Sequence, residues 1–321
     1  MMKKVIIFCC LAFCGLLSEA KYAMAQVEPM AANWTYAEKK MRSAGLKPDF
    51  IRAVKSNYHD EGFQDVVELN ILLFLRKANI HQSQAQGEAV TRVRSFMEDH
   101  KTALCEAEAK QKVSAPVIAS LLWIESRFGE NLGHFNIASV FVDLLQTDRP
   151  EILKRLRSTS ITRFTAKASR KDLKKIASRT RKKVVWAMNE LKALQVLYRI
   201  QGMSALQIRG SYAGAFGMSQ FLPSSYKNLA LKVKKGSNKL LDLDKADDAI
   251  QSVAAYLHEN GWRKRDKTHV KALMNYNNSR DYANAILKLA ANASNDREPA
   301  SMRGLPKTLP AKKTHRLALG N

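Results

Sequence analysis

A single carboxylate, Glu125, stands in a run of large apolar residues, LLWIESRFG, at positions 121–129. An unpaired carboxylate is costly to bury, so Glu125 is either satisfied by a partner or kept for its chemistry. Apolar neighbours such as Trp123 and Phe128 are expected to raise the pKa of this carboxyl group toward neutrality, because burial disfavours its charged form. Such a group can donate a proton to a leaving oxygen and take one back. The alternative is a surface glutamate that pairs with Arg127 at a helix end.

The element that positions Glu125 is predicted to be a central, buried helix. Ser114 is a suitable N-cap, and Pro116 fits the first helical turn. The residues at 117–124 are apolar nearly all round, which is typical of a helix with no solvent-facing side. Glu125 therefore falls at the carboxyl end of this helix.

The remaining elements are also predicted to be helices, because helix formers dominate and long alternating β-branched runs are absent. Residues 90–112 are predicted to form one long exposed helix, and VVWAMNELKALQVLYRIQG a helix that ends at Gly202. ADDAIQSVAAYLHENGW is predicted to be a helix that ends at Gly261. GSYAGAFGMSQFLPSSY differs from all of these, because its small residues allow close backbone approach to a helix or a ligand. We expect an all-α fold.

Charge and leader sequence limit the class of partner. The chain has a formal net charge of +24 over 321 residues, which predicts affinity for nucleic acid, acidic lipid or a polyanionic wall polymer. A basic start, an apolar run and an A-x-A pattern predict a secretory signal peptide over residues 1–25, with an uncleaved membrane anchor as the alternative. We therefore expect an exported protein, periplasmic or secreted, for which intracellular nucleic acid is a poor partner.

Cysteine content and hydropathy add two expectations about the mature chain. Only Cys105 remains after the signal peptide is removed, which leaves no intrachain disulfide and no cysteine-based metal site. No second apolar stretch is long enough to span a bilayer, so no transmembrane segment is expected after signal removal.

Four segments together resemble a known family. They are, in chain order, VSAPVIASLLWIESRFG, GSYAGAFGMSQFLPSSYKNLA, ADDAIQSVAAYLHENGW and YNNSRDYANAIL. The chain resembles the lytic murein transglycosylases of the B type, which belong to the lysozyme-like superfamily and have an SLT-type domain. The resemblance implies a lysozyme-like catalytic domain over residues 96–292, preceded by an N-terminal helical region over residues 26–95. The tail at 293–321, which is basic and poor in apolar residues, is expected to be disordered.

The resemblance implies a reaction for Glu125, which matches the family's sole catalytic acid and base. The family cleaves the β-1,4 bond between N-acetylmuramic acid and N-acetylglucosamine in peptidoglycan. The C6 hydroxyl of the muramic acid attacks its own anomeric carbon and forms a 1,6-anhydro ring. Ordinary glycosidases need a second carboxylate, whereas this nucleophile is already held in place. One glutamate is therefore enough, and no cofactor is expected.

The resemblance also implies a set of groove residues. The residues that match the family's glycan groove are Ser211, Gln220, Phe221, Tyr276, Asn277 and Tyr282. Hydroxyl and amide groups can hydrogen-bond to sugar substituents, and aromatic rings can stack on sugar faces. Core packing is the alternative role, above all for Phe221 and Tyr282. Lys182 and Lys183 stand where arginines are expected. A lysine can attract a substrate carboxylate with its charge, but it cannot form the two parallel hydrogen bonds that an arginine makes.

Two further departures from the family concern charge. A basic insertion near residues 149–183 is either a solvated helical excursion or an arm that faces an anionic partner. The loop after PSSY, where relatives often bind calcium, has lysines in place of the closely spaced acids, so no metal is expected. The aspartates that follow, between 242 and 248, are expected to cap the next helix.

Three alternatives to a lytic transglycosylase stay open at this point. One is a lysozyme-type hydrolase of the same bond, which could act on de-N-acetylated glycan. Another is a non-catalytic peptidoglycan-binding protein. A third, a secreted cationic protein that binds DNA or anionic lipid, has weak support because Phe164 is the single aromatic residue of the basic stretch. The expected partner is the peptidoglycan glycan strand, and the expected state is a monomer.

Overall fold

The computed structural model describes residues 30–60, 62–75, 87–160, 169–230, 241–263 and 268–294. The predicted signal peptide lies outside the described residues. The predicted tail also lies outside them from residue 295 onward, as do the middle of the basic insertion at 161–168 and the lysine-rich loop segment at 231–240.

The described chain is almost entirely helical, which confirms the predicted all-α class. The helices are α1 (Trp34–Ser43), α2 (Pro48–Ser56), α3 (Phe63–Leu72), α4 (Glu88–Asp99), α5 (Lys101–Gln111), α6 (Ala115–Ser126), α7 (Ile137–Leu144), α8 (Pro150–Thr159), α9 (Arg170–Gln201), α10 (Pro223–Ser225), α11 (Ala246–Glu259), α12 (His269–Tyr276) and α13 (Arg280–Ser294). Among these described helices, none is both long and apolar enough to cross a membrane.

Short elements connect the helices. Two 3-10 turns lie at Leu73–Leu75 and Gly202–Leu206, and a π-helical turn lies at Tyr226–Ala230. The strands β1 (Phe135–Asn136) and β2 (Arg209–Gly210) pair antiparallel, so the segment after α6 is joined to the segment after α9.

Helix α6 is the centre of the fold, as the sequence predicts. Every residue from Val117 to Ser126 is buried, because the helix is apolar on all sides. Ser114 occupies the N-cap position and Pro116 lies in the first turn. Helices α4, α5, α11 and α13 pack against α6. The carboxyl end of α6, with Glu125, therefore lies inside the molecule.

The prediction of one long exposed helix over residues 90–112 is wrong. Helix α4 ends at Asp99 and α5 begins at Lys101, with His100 between them at φ −116° and ψ 29°. Both helices bury an inward face, at Val93, Phe96, Leu104 and Ala107. The helices diverge because α4 packs beside α6 and α13 whereas α5 packs beside α11, and this packing outweighs local helix propensity.

Helix α9 contains the described second part of the basic insertion and continues into the core. It begins with a capping box in which Ser169 and Asp172 satisfy each other's backbone N–H groups. It ends at Gly202, as predicted, where the positive φ of 64° suits a glycine. The same helix thus links the basic surface to the centre of the molecule.

A buried acid, Asp143, joins α7 to the N-terminal helices. Its side chain is 1% exposed, and Oδ1 accepts a hydrogen bond from the Tyr58 hydroxyl at 2.7 Å. Burial raises the pKa of Asp143 well above its ordinary value of 3.8, although the Tyr58 hydrogen bond acts in the opposite direction. The folded chain therefore keeps this proton at pH values at which the unfolded chain has lost it.

This shift predicts that Asp143 makes the fold less stable as the pH rises above about 3.8, because the folded state binds more protons there. One such group changes the free energy of unfolding by at most about 1.4 kcal/mol per pH unit. Asp143→Asn cannot ionise and keeps an acceptor for Tyr58. Urea unfolding at several pH values should show a flatter decline for this variant than for wild type. The exposed Asp65→Asn should leave the wild-type slope, and an unchanged slope in Asp143→Asn would contradict the prediction.

Candidate active site

Glu125 is held in a buried position one residue before the end of α6. Its side chain is 1% exposed. The hydroxyl of Tyr282, on α13, donates a hydrogen bond to Glu125 Oε1 at 2.5 Å. Tyr282 is itself fully buried, and α13 packs along α6. The surface-glutamate alternative, pairing with Arg127, does not fit this burial.

The chain reverses direction directly after Glu125. Arg127, Phe128 and Gly129 all have positive φ values, 51°, 57° and 92°. Two successive non-glycine residues in this region are unusual and cost conformational energy. Ser126 stabilises the turn, because its Oγ accepts from the backbone N–H of Gly129 at 3.0 Å and donates to the Met218 carbonyl at 2.7 Å. This second bond joins the end of α6 to the loop that follows β2.

The predicted apolar neighbours of Glu125 form a separate cluster at this turn. The Phe128 ring stacks on Phe96, with centroids 4.0 Å apart and planes within 3° of parallel. The Trp123 ring lies 5.4 Å from Phe128. These aromatic rings therefore stabilise the turn that follows Glu125. The hydrogen bond to the carboxyl group itself comes from Tyr282.

The small residues of the loop after β2 are required by close packing. Gly214 and Gly217 have φ values of 75° and 69°, which favour glycine. A Cβ atom at Gly214 would lie 2.3 Å from the Phe141 ring, and one at Gly217 would lie 2.4 Å from Leu243 Cβ. The loop closes on itself through backbone bonds between Phe216 and Phe221. At these two positions, the backbone therefore approaches other parts of the protein closely, which is one of the two alternatives that the sequence predicted.

Gln220 is the most constrained polar residue of this loop. It is fully buried and has a left-handed φ of 48°. Its Nε2 donates to the Gly217 carbonyl at 2.9 Å and to the Leu132 carbonyl at 3.3 Å. A strained backbone conformation in a buried polar residue is typical of functional loops.

An aromatic cluster connects this loop to Glu125. The Tyr276 ring lies 5.7 Å from Phe221 and 6.5 Å from Tyr282, which it faces nearly parallel. The Tyr276 hydroxyl donates to the Ser219 carbonyl. Phe221 and Tyr276 are fully buried, so the structure gives both rings a packing role in addition to any contact with a sugar.

The other predicted site residues lie at different positions. Ser211 is buried, and its Oγ accepts from the backbone N–H of Ala215 at 3.1 Å within the same loop. Asn277 is 9% exposed and follows Tyr276 at the end of α12. Lys182 is exposed on α9, whereas the half-buried Lys183 places its ammonium 3.7 Å from the centre of the Trp186 ring.

Glu190 is a buried acid that the sequence reasoning did not identify. It lies on α9 and is 3% exposed. Its carboxylate accepts from the backbone N–H of Ser224 at 2.9 Å and from the Ser224 hydroxyl at 2.8 Å. Burial raises the pKa of Glu190, and the Ser224 hydrogen bonds oppose that shift. The signal available in the sequence was one carboxylate within the apolar stretch VVWAMNELKAL.

The described side chains near Glu125 are poorly suited to hold a metal ion. Among the described residues, no group of three or more His, Cys, Asp or Glu side chains could hold a metal ion. The groups around Glu125 and the loop are instead phenol hydroxyls, an amide and backbone carbonyls. Such groups bind and orient a neutral polar ligand.

Comparison with known families identifies the class of protein that has this fold. Residues 33–273 match the family model described as Transglycosylase SLT domain. The chain belongs to this family, and the predicted resemblance to lytic murein transglycosylases is confirmed. Membrane-bound lytic murein transglycosylase B of Escherichia coli (strain K12) is 39% identical over 83 residues. That alignment covers 26% of this chain and 22% of the relative.

Solved structures share the fold at low sequence identity. Soluble lytic transglycosylase SltB1 from Pseudomonas aeruginosa matches with a TM-score of 0.59 and 19% identity, over 81% of this chain and 97% of that chain. Escherichia coli Slt35 in complex with bulgecin A matches with a TM-score of 0.58 and 18% identity, over 81% and 91%. Pseudomonas aeruginosa SltB3 in complex with NAG-NAM-pentapeptide matches with a TM-score of 0.56 and 16% identity, over 82% and 79%. The predicted SLT-type helical fold is confirmed.

The Glu190 contact predicts a stability difference between two variants. Glu190→Ala removes both acceptors, so the backbone N–H and the hydroxyl of Ser224 lose their shared partner, at a cost of about 1–3 kcal/mol. Ser224→Ala removes only the hydroxyl bond and should cost about 1 kcal/mol. Urea unfolding measures both. Equal losses for the two variants, or no loss in Glu190→Ala, would contradict a supporting role for this carboxylate.

Proposed function

We propose that this protein is an exported peptidoglycan lytic transglycosylase. It breaks the MurNAc-β-1,4-GlcNAc bond with Glu125 as the one catalytic acid and base, and it leaves 1,6-anhydro-MurNAc ends. The observation that carries the proposal is the buried position of Glu125 at the end of α6, with Oε1 bonded to the Tyr282 hydroxyl, in a chain that belongs to the Transglycosylase SLT domain family.

The reaction needs one proton to be given and one to be taken. Protonated Glu125 donates its proton to the glycosidic oxygen as the bond to the MurNAc anomeric carbon breaks, and GlcNAc leaves with a free hydroxyl. The resulting carboxylate then accepts the proton of the MurNAc C6 hydroxyl. The C6 oxygen bonds to the anomeric carbon and closes the 1,6-anhydro ring. Glu125 ends protonated, so the cycle needs no water and no cofactor.

The contacts described around Glu125 support this route. Glycosidases that use an enzyme nucleophile or an activated water need a second carboxylate beside the first. The contacts described around Glu125 and its loop come from the hydroxyls of Tyr282 and Tyr276 and the amide of Gln220. An internal hydroxyl of the substrate replaces the second carboxylate, because binding has already placed it near the anomeric carbon.

The remaining site residues have binding roles in this proposal. Ser211, Gln220 and Asn277 offer hydroxyl and amide groups to sugar substituents. The rings of Phe221, Tyr276 and Tyr282 are fully buried and support the groove from beneath these polar groups. Lys182 and Lys183 meet carboxylates of the substrate as point charges. Their exposed and half-buried positions on α9 are compatible with that role.

The partner and the location follow from the reaction. Peptidoglycan lies outside the cytoplasm, and the predicted signal peptide would bring the chain there. SltB3, which shares the fold, has been solved in complex with NAG-NAM-pentapeptide. We extend that ligand class to this chain as part of the proposal.

The central test replaces the catalytic acid. Glu125→Gln keeps the shape of the side chain but cannot donate the proton, so turnover should fall by about 10²- to 10⁴-fold. Purified sacculi, both N-acetylated and de-N-acetylated, are digested with the mature protein and the products are identified by mass spectrometry. Wild type should release muropeptides that end in 1,6-anhydro-MurNAc. Glu106→Gln, an exposed acid on α5, is the matched control and should act as wild type.

Each other outcome of this test has a definite meaning. Reducing-end products that vanish in Glu125→Gln would make the protein a lysozyme-type hydrolase with the same acid. Products from de-N-acetylated sacculi alone would show that the substrate is de-N-acetylated peptidoglycan. No soluble product from either substrate would overturn the catalytic proposal and leave a peptidoglycan-binding protein.

A second test concerns the partner of the acid. Tyr282→Phe removes the hydroxyl that orients Glu125 Oε1, so we expect kcat to fall by roughly tenfold with little change in KM. Tyr256→Phe is the control, because this buried tyrosine lies in the same aromatic cluster but donates to the Asn275 carbonyl. Equal losses in the two variants would show that the aromatic packing matters and the contact with Glu125 does not.

A further inference from the structure

The first half of α9 presents a row of cations to solvent. Lys171, Lys174 and Arg181 are exposed, and their spacing places them on one side of the helix. At 1.5 Å per residue, Lys171 and Arg181 are separated by about 15 Å along the axis. We call Lys171, Lys174 and Arg181 the α9 basic row.

The acids near this row are engaged elsewhere. Glu151 pairs with Arg149 at 2.7 Å, and Asp172 is used in the capping box with Ser169. Within the described ranges, no ion pair involves Lys171, Lys174 or Arg181. Asp172 also interacts electrostatically with Lys171, so the charges left for an external anion are chiefly those of Lys174 and Arg181, with part of the charge of Lys171.

The position of the row is unfavourable for the helix itself. Lys171 and Lys174 lie in the first two turns of α9, where the helix dipole presents its positive end. Cations near this end of a helix destabilise the helix. A role in binding an anion gives a reason for this arrangement.

The row is carried on a rigid support. Ile152 and Leu156 of α8 and Ile176 of α9 form a small core with residues of α3. Arg179 donates to the carbonyls of Asn70 and Ile71 at 2.8 and 3.1 Å, and so satisfies the end of α3. The cations thus have fixed spacing, which lowers the entropic cost of binding a partner with spaced charges.

We propose that the α9 basic row binds the carboxylates of peptidoglycan stem peptides, as a surface that holds the protein on the wall outside the catalytic groove. The choice of ligand rests on the proposed function, because the strands of that substrate carry carboxylates at intervals. The positive charges of the row are complementary to these carboxylates, and they are spaced along the axis of α9 as the carboxylates are spaced along a strand.

A membrane and a nucleic acid fit this surface less well. A helix that lies on a membrane needs apolar side chains beside its cations. Among the described residues, the exposed large apolar side chains are Val185, Ile200 and Met203, and Val185 alone lies in the first half of α9. Single-stranded nucleic acid binding uses exposed aromatic rings for base stacking, and the row has none between Lys171 and Arg181.

The test measures binding to insoluble sacculi in the Glu125→Gln background, so that the wall is not digested. The variant is Lys171→Gln with Lys174→Gln and Arg181→Gln, and its dissociation constant should rise by about tenfold at low salt. The difference should shrink as added salt screens the charges. Lys39→Gln with Arg52→Gln and Lys110→Gln removes the same charge from exposed positions elsewhere and should bind as the background does.

Two further arms separate the sources of anionic charge. Chitin, a β-1,4-linked N-acetylglucosamine polymer without carboxylates, should bind the α9 variant and the background equally. Vesicles of phosphatidylglycerol should bind the α9 variant and the background equally. An equal loss in the control variant, a difference that persists on chitin, or tight vesicle binding that depends on the row would each overturn the proposal.

Catalysis is scored separately, in proteins that retain Glu125. On short soluble glycan without peptides, the α9 variant should turn over at the wild-type rate. No turnover by either protein would contradict the proposed function and leave the binding result intact. A slower rate for the α9 variant on this substrate would mean that the row belongs to the catalytic groove, and would overturn the proposal of a separate surface.

Discussion

The contact between the Tyr282 hydroxyl and Glu125 Oε1 is the interaction on which the rest of the site depends. A carboxyl group that is 1% exposed is tolerated only if it is hydrogen-bonded or neutral. The contact requires α13 to pack along α6, and it joins residues 157 positions apart in the sequence. The final helix of the described chain therefore completes a site whose acid lies on the central helix.

A second constraint is the reversal of the chain after α6. The left-handed residues that begin at Arg127 direct the chain away from the buried helix, and Ser126 bonds the turn to the Met218 carbonyl. Helix α9 also stabilises the loop that contains Met218. Its Glu190 accepts two hydrogen bonds from Ser224, which lies in α10, directly after that loop. Conformational strain at Gln220 is thus opposed by contacts from several elements.

Helix α9 combines two tasks along its length. Its second half supports the loop through Glu190, whereas its first half rests on α3 and α8 and carries the basic row. A merely solvated insertion would need neither the small apolar core nor the Arg179 contacts with α3. The rigid connection between these halves would let a wall-bound surface and a catalytic groove keep a fixed relation to each other.

The sequence by itself determined the features that depend on local pattern. The apolar helix that ends near Glu125, its Ser114 and Pro116 start and the stop at Gly202 were all predictable, because capping and periodicity act over a few residues. Only the tertiary structure decided the break at His100, the pairing of Glu125 with Tyr282 and the support from Glu190. These features depend on how distant helices pack, and no local pattern records which buried polar groups will meet.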